Sequence, residues 1–332
     1  MSAPAAPAGQ ASASPAARFA RRVSGADPSA YIVYIGFVLI LVFFAITLHD
    51  DGFLTTDNLL NIARQTAPIT VMAVGMVFVL SAGEIDLSIG SVVALSALVT
   101  AVLLRDVGLL AGITGGLAVG VGVGLVNGLF VTRLRLPSFL VTLATMGLIA
   151  GLARTITDLQ SVPVTEQAYI DVFGSGDLLG VSSVIIWSLV IVALGHVVLR
   201  KRRFGAHVLA TGDNPQGAQN SGIKSMRVKM AVLVLSASAA AFAGMLYAGR
   251  LQGARYTLGE ADLLTVIAAV IIGGTRLFGG VGTVVGALIG SLIMGMLNNG
   301  LILMGLSVSE QMIVRGVILL LAISLTLREP RS

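Results

Sequence analysis

Ten apolar runs separated by shorter polar breaks dominate the pattern of this chain. They cover about 31–48, 66–82, 87–104, 108–131, 138–156, 181–199, 229–250, 262–275, 281–304 and 309–327. A membrane-crossing helix needs about 20 apolar residues in succession. Most of these runs therefore read as spans, although 262–275 is short for one and 87–104 begins beside charges. The pattern predicts an all-α polytopic membrane protein of about ten transmembrane helices, with broken or re-entrant segments allowed. A single transmembrane domain is expected over 29–328. Residues 1–28 are rich in Ala, Pro, Ser and Gly, a composition that predicts a disordered cytoplasmic tail.

One break differs from the others. The stretch RKRRFGAHVLATGDNPQGAQNSGIKSMRVK, residues 200–229, carries seven basic residues and one acidic residue. Lys and Arg beside a span are retained in the cytoplasm, so this is expected to be a cytoplasmic loop. It also carries helix punctuation: Asn214 can cap, Pro215 suits the first helical position, and Gly222 can close the far end. A helix of about two turns, roughly 10 Å long, would then protrude between two spans as a docking element. The break 157–180, expected on the external side, holds Asp158, Glu166, Asp171 and Asp177 and no basic residue. It reads either as a solvated loop or as a landing surface for an external partner.

Composition agrees with the pattern. With 56% hydrophobic and 11% charged residues and a mean hydropathy of +0.95, the chain has too little polar surface for a soluble globule. The net charge of +5 does not point to nucleic acid, because the basic residues sit at span edges and not in a separate basic domain. With ten spans and a cytoplasmic N-terminus, the inside segments collect Arg18, Arg21, Arg22, Arg133, Arg135, the 200–229 cluster, Arg276, Arg328 and Arg331. The outside segments hold Arg64, Arg105, Arg154, Arg250 and Arg255, an asymmetry that predicts both termini in the cytoplasm. The chain has no cysteine and only His49, His196 and His207, so disulfide, thiol and clustered-metal chemistry are not expected. The segment GGTRLFGG at 273–280 lacks the lysine of a phosphate-cradling loop, and no catalytic set is visible.

Two polar or small-residue features lie inside the spans. Gly112, Gly116, Gly120, Gly124 and Gly128 recur every four residues in one run, as do Gly282, Gly286 and Gly290 in another. This spacing holds them to one helix face and predicts close helix packing. The segment SAGEIDLSIGS, 81–91, places Glu84, Asp86 and Ser88 between apolar runs. A carboxylate at membrane depth costs about 2.5–3.5 kcal/mol and normally faces a cavity or a partner. The segment therefore reads either as a broken helix lining a path or as a short exposed turn. Thr142, Thr145, Asn298 and Asn299 would add hydroxyl-reading groups if they faced the same cavity, while the asparagines read equally as interhelical bonds. A weak echo between IGSVVAL at 89–95 and VGTVVGA at 281–287 hints at an internal repeat.

In order along the chain, GEIDLSIGSVVAL, LPSFLVTLATMGLIAGLA, FGAHVLATGDNPQGAQNSGI and VIIGGTRLFGGVGTVVGALIGSLIMGMLNNGL resemble the permease subunits of ribose-type ABC sugar importers. The likeness extends from about Asp50 to Leu327. It implies a permease of the bacterial inner membrane that dimerises and takes a monosaccharide from an external binding protein. It also implies a separate cytoplasmic ATPase, which would hold the ATP and Mg, so that this chain carries no cofactor of its own. The segment matching Phe204 to Ile223 holds the family's coupling helix, which would give Phe204, Gly205, Asp213, Asn214, Pro215, Gln216, Gly217 and Gly222 the ATPase contact. The match is imperfect there: Gln216 and Gly217 stand where Glu and Ala are frequent. The competing readings are an ion-coupled transporter, an importer permease for branched-chain amino acids or nucleosides, and a membrane scaffold.

Overall fold

The structure, a computed structural model, describes residues 28–178 and 180–326. The expected tail lies outside the described residues except for Pro28, as do Arg328 and Arg331. In chain order the helices are α1 (Pro28–Thr47), α2 (Thr56–Ser81), α3 (Ile89–Asp106), α4 (Leu109–Thr132), α5 (Ser138–Ile156), α6 (Gln167–Phe173), α7 (Ser183–Lys201), α8 (Arg203–Asp213), α9 (Pro215–Asn220), α10 (Ser225–Leu251), α11 (Asp262–Ile272), α12 (Val284–Leu303) and α13 (Val308–Thr326). Four two-residue strands, β1 (Val162–Pro163), β2 (Asp177–Leu178), β3 (Val181–Ser182) and β4 (Gly253–Ala254), pair as β1 with β4 and β2 with β3, both antiparallel.

Seven described helices are long and apolar enough to cross a membrane: α2, α3, α4, α5, α7, α10 and α12. The chain is thus an all-α polytopic membrane protein. The apolar run at 66–82 proves to be the lower part of a longer helix, because α2 starts at Thr56. Its first turns, TDNLLNIARQ, are too polar to register as a span but are helical all the same, with Thr55 Oγ1 accepting from the Asn58 N–H at 3.4 Å. The run at 262–275 forms α11, which has only 11 residues and rises about 16 Å, roughly half a bilayer core. Before it, the chain turns back between β4 and α11, and Gly259 packs on Gly90 at the start of α3.

α10 is the central mast, 27 residues long, packed against α2, α3 and α4. The glycine ladder of α4 is what lets α4 approach it. A Cβ at Gly124 would stand 2.5 Å from the Val234 Cα, and one at Gly120 would stand 2.6 Å from the Ala237 carbonyl oxygen. Gly112 and Gly116 face α3, at Leu104 and Thr100, and Gly128 faces Met230. In the second ladder Gly286 and Gly290 seat α12 against Gly273 and Ala269 of the α11 region. Gly282 precedes α12 and faces Ser81 instead, so it belongs to a loop contact.

The break 157–180 is folded, not a bare loop. It contains α6 and the strands β1 and β2, with Asp158, Glu166, Asp171 and Asp177 all exposed. Tyr169 Oη donates to the Met245 carbonyl at 2.8 Å, tying α6 to α10. The Phe173 ring stacks on Trp187 of α7 at 5.7 Å and 5°, and Trp187 meets Phe242 of α10 edge-on at 5.3 Å. Trp187 Nε1 donates to the Val172 carbonyl at 2.9 Å, so three helices meet at one aromatic knot.

Candidate functional site

The polar island folds as two short helices. α7 runs on to Lys201 and α8 follows after a tight turn at Arg202, where a Cβ on Gly205 would collide with the Leu199 backbone. The sequence pattern missed α8, whose residues RFGAHVLATGD mix small, polar and apolar positions. α9 then begins at Pro215. Asn214 Oδ1 accepts from the Gly217 N–H at 2.8 Å, Ser221 Oγ donates to the Gly217 carbonyl at 2.9 Å, and Gly222 closes the turn at φ +82°. Along α9 only Ala218 is buried, while Asp213, Asn214, Pro215, Gln216, Gln219 and Asn220 are exposed. The capped rod turns Ala218 to the neighbouring helices and its polar residues outward.

Its footing is firm. Phe204 stacks on Phe78 of α2 at 6.2 Å. Gly212 lies so close to the end of α2 that a Cβ there would overlap the Ser81 carbonyl oxygen. The Gly280 N–H donates to that same carbonyl at 3.1 Å. Ser81 ends α2, and two residues later the chain passes Gly83, at φ +76°, into the segment Glu84–Ser88. The rod is therefore one backbone contact away from the acidic segment.

That segment is neither helical nor exposed. Glu84 is 5% exposed and Asp86 is fully buried, which removes the reading as a plain surface turn. Glu84 pairs with Lys229 of α10. Ser88 donates to Asp86 Oδ1 from its hydroxyl at 2.6 Å and from its N–H at 3.0 Å, and Asn127 Nδ2 of α4 donates to Ser88 Oγ at 3.1 Å. The backbone is held by α5: Ser138 Oγ accepts from the Ile85 N–H at 3.0 Å and Thr142 Oγ1 accepts from the Leu87 N–H at 3.1 Å. These bonds replace the ladder that a helix would have supplied, as buried extended backbone requires.

The depth follows from contacts along α10. Lys229 lies about 6 Å and Ala241 about 24 Å along the helix from Ser225. The Ala241 carbonyl is 2.9 Å from Ser96 Oγ, two turns into α3. Asp86 therefore sits between these levels, well inside the bundle. Asp86 and Ser236 of α10 face each other there as hydrogen-bonding side chains, and Asn127 Oδ1 is buried with no hydrogen-bond partner among the described residues. A buried carboxylate and an orphaned amide oxygen at this depth mark a polar place inside the bundle.

The remaining candidates do not join them. Thr145 is one turn from Thr142 and donates to the Thr142 carbonyl at 3.1 Å. Asn299 exchanges two hydrogen bonds with Asn58 of α2, at 2.9 and 3.0 Å, and is an interhelical clasp. Asn298 accepts from Arg315 of α13 at 2.6 Å. Both asparagines lie toward the Leu251 end of α10, away from Asp86, so the seven residues form two groups and not one cavity. Pattern reading missed Lys229, Ser138 and Asn127 as partners of the acidic segment. Lys229 read only as a topology signal and the pattern did not single out Asn127, although an amide inside a glycine ladder is itself unusual.

Relatives carry the matter further. The permease family described as the branched-chain amino acid transport system / permease component matches residues 58–323. Ribose import permease protein RbsC of Bacillus subtilis (strain 168) is 39% identical over 291 residues, covering 87% of this chain and 89% of its own length. RbsC of Escherichia coli (strain K12) is 40% identical over 291 residues, covering 86% and 90%. The L-arabinose ABC transporter permease protein AraH of Azospirillum brasilense is 38% identical over 289 residues, covering 86% and 84%. No solved structure matches. A buried acidic break beside a capped, protruding rod thus sits in a chain that belongs to this family of ABC-transporter membrane permeases.

Proposed function

We propose that this protein is the membrane permease subunit of an importer that carries a monosaccharide of the pentose class into the cytoplasm by ATP-driven alternating access. The substrate class rests on the named ribose and arabinose permeases among its relatives. In this reading α1, α11 and α13 complete ten membrane segments, both termini and α8–α9 face the cytoplasm, and the folded break 157–180 faces the external sugar-binding protein. A separate ATPase holds ATP and Mg and docks on Asn214–Ser221, and a second copy of the chain completes the assembly.

The observation that carries the mechanism is the footing of α9. In this reading force applied to the rod passes through Gly212 to Ser81 and, by way of Gly83 at φ +76°, reaches Glu84 and Asp86. Moving that segment exchanges its bonds to Ser138, Thr142 and Asn127, each of modest net strength, about 0.5–1.5 kcal/mol. A shift of this size is within reach of a ligand with differential affinity for two states.

The chain has no cysteine, so Gln216→Cys gives a single labelling site. In vesicles containing the permease, its ATPase and its binding protein, D-ribose or L-arabinose uptake should require ATP, and the introduced thiol should crosslink to the ATPase. Sugar flux through the permease alone, or labelling of that thiol only from outside the cell, would overturn the proposal. Uptake of leucine in place of either pentose would redirect it to the amino-acid branch that the family description names.

A further inference from the structure

A second polar group lies at the opposite end of α10 from Asp86, around a cavity of about 140 Å³ enclosed by α2, α10, α11, α12 and α13. Its chemistry comes from Gln65, Tyr247, Arg250, Asp262, Asn298 and Arg315. Tyr247 Oη donates to Asp262 Oδ2 at 2.7 Å, which fixes the carboxylate at the mouth of α11. Arg315 reaches from α13 to donate to Asn298 Oδ1 at 2.6 Å, and Arg250 lies over the Tyr247 ring at 5.8 Å. Neither guanidinium makes an ion pair among the described residues, and the Nε of each is buried with no hydrogen-bond partner.

We propose that this cavity is a binding site for a single monosaccharide ring, a station for solute separate from the acidic segment at the other end of α10. The proposal rests on the reading of the chain as a sugar permease and adds to it a place within one subunit where the sugar is held. Size comes first: the space is close to the ~150 Å³ cavity that admits a benzene ring, so it is on the scale of one small ring, a pentose being the upper end, and a disaccharide is excluded. Chemistry comes second. The wall offers two guanidinium forks as donors, a carboxylate as acceptor, and two amides that do both. Adjacent sugar hydroxyls can donate to Asp262 while accepting from Arg250 or Arg315, which fills the donors left open. A small anion would engage the arginines alone and give the Asp262 carboxylate no donor beyond Tyr247. Ile69 and Met294 are the aliphatic side chains of the wall, and leucine is the competitor that the family description suggests.

Placement gives the site a use. Under the proposed orientation it lies in the outer half of the subunit, beside the turn-back before α11, where solute released by an external binder would first be met. Asp262 begins α11, and the other end of α11 leads into the loop whose Gly280 bonds Ser81 under the rod. Occupancy here and movement of α9 therefore share one structural element.

The test uses full-length permease in nanodiscs and saturation-transfer NMR, which detects weak ligands. D-ribose and L-arabinose should each give a saturable ring-proton signal, each should displace the other, and leucine and inorganic phosphate should displace neither. Asp262→Asn should weaken binding about 10- to 100-fold, the scale of one hydrogen bond to a charged group. Gln65→Leu removes one donor and acceptor from the wall while leaving every charge in place, and it too should weaken binding, which guards against a folding artefact in the Asp262 variant. If wild-type permease gives no saturable pentose signal, or a signal that phosphate or leucine abolishes, the site is not for sugar. If both variants bind and import pentose at wild-type levels in the complete importer, the inference falls while the sugar reading stands. If the complete wild-type importer moves no sugar, the underlying reading falls first and takes the inference with it.

Discussion

Replacing Lys229 by Met isolates the contribution of the buried pair to the acidic segment. The Glu84 side chain is 7% exposed and that of Lys229 is 23% exposed. The carboxylate is the member that cannot reach water once its partner is gone. Removing one partner of a buried pair costs about 3–5 kcal/mol. The partial exposure of Lys229 means that water already screens the pair, which places the expected loss at the lower end, about 3 kcal/mol. Glu84→Gln is milder, about 1 kcal/mol, because a lysine left alone can extend its stem and keep its ammonium wet. The double variant carries neither charge and should lose no more than about 2 kcal/mol, giving a coupling energy of about 2 kcal/mol. Unfolding of the purified permease in mixed micelles, titrated with SDS for all four proteins, measures these differences directly. Additive single effects, with coupling below about 0.5 kcal/mol, would refute the claim that the two charges hold the segment together.

Gly124→Leu forces a branched side chain into the backbone of α10 at Val234; overpacking of this kind costs about 1–3 kcal/mol, so the yield of monodisperse protein on size exclusion should fall, whereas Gly122→Leu, which meets open space, should leave it unchanged. Gly217→Pro removes the N–H that Asn214 caps, and loss of a cap costs about 1 kcal/mol; uptake should drop while membrane insertion persists, and unchanged uptake would remove the rod from the mechanism. Asp86→Ala should impair sugar flux without loss of ATPase co-purification, and wild-type flux would return the segment to a structural role. Asn299→Leu removes both bonds to Asn58, whose Nδ2 keeps the Phe53 carbonyl, and should cost about 0.6–1.7 kcal/mol in the same SDS titration; no change would mean that the clasp contributes nothing.

What could be read from the chain alone follows the physics of each signal. Long apolar helices announce themselves because the bilayer allows little else, and a cap such as Asn214-Pro215 is legible because it acts within four residues. The first turns of α2 were hidden because TDNLLNIARQ has helix-forming but not membrane-like composition. α8 was hidden for a similar reason, since its short stretch is stabilised by Phe204 against Phe78 and Gly212 against Ser81, contacts made between segments far apart in the chain. The partners of the acidic segment come from α4, α5 and α10, and no spacing rule connects Glu84 to Lys229. The division of Thr142 from Asn299 is likewise a matter of which end of a helix each occupies, which depends on how antiparallel neighbours align.

The aromatic knot where α6, α7 and α10 meet has an experimental consequence. Trp187 is the sole tryptophan of the chain, and its ring is clamped between Phe173 and Phe242. Tryptophan fluorescence of the unmodified polypeptide thus comes from one locus, at the end of the bundle opposite the rod. With a tryptophan-free ATPase already bound, a spectral change on adding nucleotide would report, without a dye, that movement had reached the far end of the bundle.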